Sequence, residues 1–125
     1  MNPVTNKKFF IEYLSLAFNT LTGKLPSELG TLSRLEFFNI RSSKVKGTIP
    51  TELGNLENLE TLLLEGNWMT GTIPESLGKL HKAKQLSFRR NYFDGDIAES
   101  ICHLREKFLE ELKVDSWIDC NCCTK

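Results

Sequence analysis

The sequence predicts an α/β solenoid, with a short parallel sheet on its concave face and a helical, cysteine-bearing cap at its C-terminal end. The first observation is a series of four glycines that lie 24 residues apart, at Gly23, Gly47, Gly71 and Gly95. The second is that the apolar positions around each glycine recur at the same interval. A repeat of this length is typical of solenoids, because one unit cannot bury its apolar face alone whereas stacked units share a continuous core.

Each repeat begins with a short strand. Along Leu62-Leu63-Leu64 successive side chains point to opposite sides, so we expect Leu62 and Leu64 to enter the core and Leu63 to point outward onto the concave face. The positions equivalent to Leu62 are also apolar, and they are Leu14, Phe38 and Leu86.

The unit from Leu59 to Leu80 follows L-x-x-L-x-L-x-x-N-x-L, with Met69 in the last position, and continues as T-G-x-I-P-x-x-L-G-x-L. The first part is the leucine-rich repeat signature. The second part resembles the plant-type subfamily, which forms the extracellular portions of receptor-like kinases and receptor-like proteins. The resemblance covers residues 11–104 and implies a right-handed, horseshoe-shaped coil that recognises a protein or peptide in signalling.

The turn after each strand carries a polar residue: Asn19, Ser43, Asn67 or Asn91. In the family that this chain resembles, the asparagine amide satisfies backbone groups of the turn, since buried backbone groups need partners. Ser43 offers a hydroxyl without both amide functions, so we expect a slightly weaker turn there. The prolines that follow, Pro26, Pro50 and Pro74, open the segment on the convex side.

We divide the chain into three parts: residues 1–10, an N-terminal lead or a remnant of an upstream repeat; residues 11–104, four 24-residue repeats; and residues 105–125, the C-terminal cap. The N-terminal stretch lacks the apolar core of a signal peptide. An uncapped first repeat would expose Leu14 and Leu16 to water. We therefore expect upstream repeats to be missing, as in the C-terminal piece of a longer protein.

The cap combines a helix with a cluster of cysteines. Apolar residues at helical spacing predict a helix from near Glu99, followed by a fifth strand around Leu112. The charged residues of the cap are expected to face solvent and cover the end of the core. They are Arg105, Glu106, Lys107, Glu110 and Glu111. The stretches Ile101–Arg105 and Asp119–Thr124 resemble the caps of leucine-rich repeat proteins from diatoms and related algae.

The four cysteines, Cys102, Cys120, Cys122 and Cys123, are the disulfide candidates. We favour a disulfide from Cys102 to one of the other three, because cysteines clustered at one end suit a stapled terminus in an oxidising compartment. Free thiols in a cytosolic protein are the first alternative. A zinc site is the second and weaker one, because C-x-C-C does not match the usual ligand spacing, so we predict no metal.

The ligand is expected on the concave face, where outward residues of neighbouring strands form columns about 5 Å apart. The exposed apolar and charged members of these columns are the candidate binding residues: Tyr13, Phe37, Asn39, Arg41, Leu63, Glu65, Arg89 and Arg90. Tyr13 could equally contact an upstream repeat. Glu65 lies between Arg41 and Arg89, which suggests a surface salt bridge or, alternatively, a surplus of positive charge for a ligand carboxylate or sulfate.

Trp68 and Tyr92 occupy the position after the asparagine and lie next to each other on the flank of the solenoid. An exposed aromatic pair of this kind either packs locally between repeats or forms a ledge for a peptide. We add both residues to the candidate binding set.

Composition narrows the function. The chain has 16 basic and 16 acidic residues, which argues against a nucleic acid partner. No apolar run reaches the ~18 residues of a membrane span, and no nucleophile, phosphate-loop or metalloprotease motif is present. His81 and His103 are expected to be ordinary surface residues.

We therefore predict non-catalytic recognition of a protein or peptide, without a cofactor, by a fragment of an extracellular or cell-surface receptor-like protein. The alternatives are a cytoplasmic adaptor or scaffold and a piece of a receptor kinase ectodomain.

Overall fold

The computed structural model describes residues 10–124 and forms the predicted leucine-rich repeat solenoid. The predicted N-terminal lead, residues 1–10, lies outside the described residues apart from Phe10. Five parallel strands line the concave face in the order β1 (Tyr13–Ser15), β2 (Phe37–Asn39), β4 (Thr61–Leu63), β6 (Gln85–Ser87) and β8 (Glu111–Lys113). Three further strands form a second parallel sheet on the flank, and they are β3 (Lys46–Gly47), β5 (Trp68–Thr72) and β7 (Tyr92–Asp94).

The register of the concave sheet aligns equivalent residues of successive repeats. Leu14 lies beside Phe38, Phe38 beside Leu62, and Leu62 beside Leu86. The inward residues belong to a single core that runs from the second repeat into the cap. Phe38, Leu62 and Leu86 are fully buried in this core. The predicted alternation of inward and outward residues along the strands is confirmed.

The convex side consists of short 3-10 helices, each preceded by one of the predicted prolines: Ser27–Thr31, Thr51–Asn55 and Glu75–Lys79. These helices pack closely on one another. A Cβ atom built on Gly54 would collide with the backbone of Ser76 in the next helix. Glycine at this slot therefore sets the close spacing of the convex helices.

Two of the turn asparagines join neighbouring repeats. Asn67 Oδ1 accepts a hydrogen bond from Val45 N (3.1 Å), and its Nδ2 donates to Ile40 O (2.8 Å) and Leu64 O (3.0 Å). Asn91 repeats this pattern one unit later, toward Met69 N and two carbonyls. Ser43 donates a single hydrogen bond, to Asn19 O (3.0 Å). Ser43 thus makes fewer bonds than Asn67, and the weaker turn predicted there stays a prediction.

The cap forms as predicted, from helix α1 (Glu99–Lys107) and strand β8, which pairs with β6. The charged residues of the cap do not all face solvent, and that part of the prediction is wrong. Arg105 donates hydrogen bonds to the carbonyl oxygens of Leu109 (2.8 Å), Glu110 and Cys122 (3.3 Å). Since several otherwise unpaired carbonyls converge after the helix, one guanidinium with its fork of donors ties the helix end to the cysteine segment.

Candidate ligand-binding surfaces

The apolar part of the concave face is a stacked aromatic pair at its N-terminal end. The rings of Tyr13 and Phe37 are parallel within 2° with centroids 4.2 Å apart, as the register of β1 and β2 places them side by side. Tyr13 is 66% exposed. The pair therefore presents a flat, open aromatic surface of the kind that anchors protein interfaces.

The centre of the concave face is buried at Leu63 and Asn39, which corrects the prediction that these two residues are exposed binding residues. Leu63 is 6% exposed and Asn39 is 5% exposed, although both point away from the core. The physical reason is their place in the middle of the sheet: Leu63 lies between Asn39 and Ser87 on the adjacent strands. Asn39 Oδ1 also accepts a hydrogen bond from Arg41 N (3.0 Å).

The predicted salt bridge of Glu65 with Arg41 or Arg89 does not form. Glu65 accepts a hydrogen bond from Ser87 Oγ (2.8 Å). Among the described residues, neither Arg41 nor Arg89 brings its guanidinium within the 4.0 Å of Glu65 that an ion pair requires. Arg41 lies over the ring of Phe18, with its guanidinium carbon 5.9 Å from the ring centroid. Arg89 is exposed, so its charge is free to meet a ligand.

Arg90 lies at the turn that ends its strand. Its φ is +58°, in the left-handed region, as are those of Phe18 (+59°) and Ser42 (+56°) at the same slot. The backbone N–H groups of Arg90 and Asn91 donate to the carboxylate of Asp115, at 2.8 Å and 3.3 Å. In earlier repeats a backbone carbonyl accepts this bond, for example Glu65 O from Ser42 N. Asp115 was not among the predicted residues. Its sequence signal is the loss of the 24-residue period after the fourth repeat.

An acidic edge borders the concave face beside the aromatic pair. A cavity of about 490 Å³ opens there, lined by Tyr13, Phe37, Thr61, Lys84 and the three glutamates Glu12, Glu36 and Glu60. Glu60 pairs with Lys84 at 2.9 Å, and its hydrogen bond and negative charge raise the pKa of the Lys84 ammonium. Glu12 and Glu36 are exposed. Sequence analysis missed this edge, although its residues recur every 24 positions.

The flank carries exposed aromatic side chains. Trp68 is 51% exposed and Tyr92 is 65% exposed, on adjacent strands. Their register is staggered, with Tyr92 beside Thr70 rather than beside Trp68. The Lys44 ammonium lies over the Trp68 ring, 5.8 Å from the ring centroid. A third aromatic residue, Trp117, is 61% exposed and donates from Nε1 to Phe93 O (2.7 Å).

Two disulfides close the C-terminal end. Cys102 bonds to Cys122, as predicted for one of the three partners, and Cys120 bonds to Cys123. The sulfurs of Cys102, Cys120 and Cys122 lie within 4.8 Å of one another, a grouping that thiolate ligands of a metal ion also adopt. Metal ions bind the thiolate form, so the oxidised cysteines have no thiolate to offer.

The repeats match a known family. The leucine-rich repeat family model matches residues 10–32 and 58–80 of this chain. No curated protein sequence matches the chain.

Solved structures agree with the repeat match. A TDR receptor is 38% identical, with a TM-score of 0.80 over 85% of this chain. The leucine-rich repeat ectodomain of the plant membrane receptor kinase GASSHO1/SCHENGEN3 from Arabidopsis thaliana, solved in complex with CASPARIAN STRIP INTEGRITY FACTOR 2, is 28% identical, with a TM-score of 0.75 over 83% of this chain.

These similarities cover parts of longer chains and more than one function. This chain spans 18% of the TDR receptor chain and 12% of the GASSHO1/SCHENGEN3 chain. A plant ice-binding protein is also similar, at 27% identity and a TM-score of 0.73, over 83% of this chain and 33% of its own. Because one fold carries several functions, the function has to be argued from the surfaces of this chain. Within residues 10–124, no helix combines the length and apolar character needed to cross a bilayer.

Proposed function

We propose that this chain, a leucine-rich repeat protein similar to plant receptor kinase ectodomains, recognises a protein or peptide ligand with its concave face and catalyses no reaction. The proposal includes an extracellular or cell-surface location, supported by the two disulfides, since disulfides persist in oxidising compartments. The candidate residues for this role are those that the structure leaves accessible: Tyr13, Phe37, Arg41, Glu65, Arg89 and Arg90, with Trp68 and Tyr92 on the flank.

The observation that carries the proposal is the open aromatic stack of Tyr13 and Phe37 between two edges of opposite charge. Glu12 and Glu36 lie on one side of the stack. Arginines lie on the other side, with Arg89 exposed. An extended segment that runs along the strand direction therefore meets an acidic edge, an apolar centre and a basic edge in turn.

This arrangement favours a ligand with a basic group at one end, an apolar side chain in the middle and a carboxylate at the other. Aromatic anchors supply most of the binding energy in such interfaces, whereas exposed charges set orientation and association rate. The sheet is short compared with the 20–30 residues per side of a standard interface. We therefore expect weak binding by this chain alone.

The test begins with a displayed library of random peptides, selected on the purified protein. Affinities of the enriched peptides are then measured by calorimetry for the wild type, Phe37→Ala and Arg89→Glu. The matched control is Lys79→Glu, which makes the same charge change on the convex side. We expect Phe37→Ala to weaken binding at least tenfold and Arg89→Glu to weaken binding of acidic peptides, with Lys79→Glu unchanged. Equal effects of all three substitutions would contradict recognition by the concave face.

The location is tested by the state of the cysteines in natively expressed protein. Cysteines that react with an alkylating agent only after reduction support an oxidised, extracellular cap. Four thiols that react before reduction favour the cytoplasmic adaptor. The further alternative, a piece of a receptor kinase ectodomain, is supported by the similarity to such ectodomains and predicts the same oxidised cap.

A further inference from the structure

The outer face of the flank sheet has its opposite charges separated toward its two ends. Three lysines lie toward the first repeat, and they are Lys24, Lys44 and Lys46. Three aspartates lie toward the cap, and they are Asp94, Asp96 and Asp119. All six are exposed, and within residues 10–124 none of them forms an ion pair.

The side chains of this face point to solvent because of the way the repeats stack. Along β5 the exposed residues Trp68, Thr70 and Thr72 alternate with the buried Met69 and the half-buried Gly71. Gly47, Gly71 and Gly95 each lie beneath an outward side chain of the preceding repeat. A Cβ on Gly47 would lie 2.9 Å from Lys24 Cγ, and one on Gly95 would lie 3.0 Å from Thr72 Cγ2.

The flank sheet has the same number of units on each side of its central strand. β5 lies at the centre, with β3 and the bridge residue Lys24 on one side. On the other side lie β7 and the bridge residue Asp119. A two-fold axis that lies in the plane of the face, passes over Thr70 and runs perpendicular to the line from Lys46 to Asp94 therefore brings the lysine end of one copy onto the aspartate end of another.

We propose that this outer face, defined by the exposed residues of β3, β5 and β7 with Lys24, Trp117 and Asp119, binds a second copy of the chain. The two-fold axis places Lys46 of one copy opposite Asp94 of the other, and the lysine end as a whole opposite the aspartate end. An isologous interface requires such a self-complementary patch. A different partner would need only one sign of charge, whereas here each charged end has its complement on the same face.

The exposed aromatic rings supply apolar contact for the same interface. Trp68 lies on the central strand next to the axis, and Tyr92 lies on the adjacent strand toward the aspartate end. Tyrosine and tryptophan are typical residues of interface cores, surrounded there by polar and charged residues. The arrangement thus has both an apolar centre and complementary charges.

The size of the face sets the expected strength. Five units about 5 Å apart, each presenting up to three outward residues, give a patch on the order of 400 Å² per copy. Standard interfaces bury about 800 Å² per partner, and smaller ones are transient. We expect a dimer that forms only at high protein concentration and dissociates as salt screens its charges.

The experiment is sedimentation velocity of the purified chain from about 10 µM to about 1 mM, a range that detects weak dissociation constants. We expect a monomer–dimer equilibrium that is at least fivefold weaker at about 500 mM salt than at about 50 mM. The doubly substituted variants Lys44→Glu/Lys46→Glu and Asp94→Lys/Asp96→Lys should each be monomeric. Circular dichroism and the melting temperature of each variant verify that it is folded.

Mixing the two variants is the deciding arm, because one then has an acidic face and the other a basic face. The proposal expects a heterodimer at least as strong as the wild-type dimer. Lys79→Glu/Lys82→Glu on the convex side is the control and should dimerise as the wild type does. A wild type that stays monomeric to about 1 mM, a dimer that persists in both variants, or a mixture that stays monomeric would overturn the proposal. None of these outcomes depends on ligand binding by the concave face.

Discussion

The two ends of the solenoid protect the core to very different extents. At the C-terminal end, α1 and β8 cover the fourth repeat, and Leu86, Leu104 and Leu112 are buried. At the N-terminal end, the equivalent apolar residues of the first repeat remain partly accessible, and Leu16 is 38% exposed. In a solenoid each repeat is stabilised chiefly by its neighbours. The structure therefore predicts a gradient of stability that rises from the first repeat to the cap.

Polar contacts follow the same gradient. Asn67 and Asn91 each connect their own turn to the preceding repeat through both ends of the amide. Among residues 10–124, Asn19 donates only within its own turn, to Leu16 O and Ala17 O (both 3.1 Å), and Ser43 makes one bond between repeats. Few buried contacts and few bonds between repeats are the features of segments that open locally.

The largest expected effect comes from removing a core leucine at different points along this gradient. Leu62→Ala should lower the free energy of unfolding by about 2–5 kcal/mol, because Leu62 is fully enclosed and its loss leaves a cavity. Leu14→Ala should cost less than half as much, because Leu14 is only half-buried at the edge strand. Urea denaturation followed by circular dichroism measures both.

Hydrogen exchange of the two leucine variants locates the effect. Amides of the first repeat should exchange fastest in the wild type and faster still in Leu14→Ala, while those of β6 stay protected. Equal costs for the two substitutions, or uniform protection along the chain, would contradict the gradient.

Removing a disulfide weakens the C-terminal end of the solenoid without replacing a core leucine. The bond between Cys102 and Cys122 spans 20 residues, and the bond between Cys120 and Cys123 spans 3. On loop-closure grounds, replacing Cys102 and Cys122 with serine should cost about 3 kcal/mol, and replacing the other pair about 2 kcal/mol. Thermal denaturation of the two variants checks the order. A larger loss from the shorter loop would show that packing of the cysteine segment, rather than chain entropy, dominates.

Exchanging the polar residues of two turns tests whether the hydrogen bonds create part of the gradient. Asn67→Ser should cost about 1–3 kcal/mol, because buried groups such as Val45 N and Ile40 O lose their partner. Ser43→Asn should stabilise the protein by about 0.5–1.5 kcal/mol, through new bonds to the first repeat. Chemical denaturation of the single and double variants measures both. A destabilising Ser43→Asn would mean that the second turn has no room for the amide.

The repeat period was sufficient to predict the strands, the inward residues, the asparagine turns and the helical cap. Each of these depends on contacts between equivalent positions, which a period of 24 residues places side by side. The disulfide of Cys102 also follows from the position of the cysteines near the returning chain.

The candidate site was less predictable, because exposure depends on neighbours that the period does not describe. Leu63 points outward yet is only 6% exposed, between Asn39 and Ser87 of the adjacent strands. Glu65 bonds to Ser87 rather than to an arginine, a choice between rotamers that no spacing reveals. The acidic edge and Asp115 were missed because the sequence interpretation considered only the outward strand positions and the regular period.

The smallest expected effect lies at the outermost strand of the closed end, where Glu111 pairs with Lys113 at 2.7 Å. The hydrogen bond from Lys113 lowers the pKa of the Glu111 carboxyl below its usual 4.5. A carboxyl with a lowered folded-state pKa stabilises the protein above its unfolded-state pKa, and this stabilisation disappears as the pH falls through the folded value. Glu111→Gln should therefore lower stability at pH 7 by at most about 0.5 kcal/mol, since solvent screens such surface pairs. Urea midpoints of the wild type and Glu111→Gln should differ slightly at neutral pH and converge in acid. A difference that grows in acid would mean that Glu111 stabilises β8 through its protonated form.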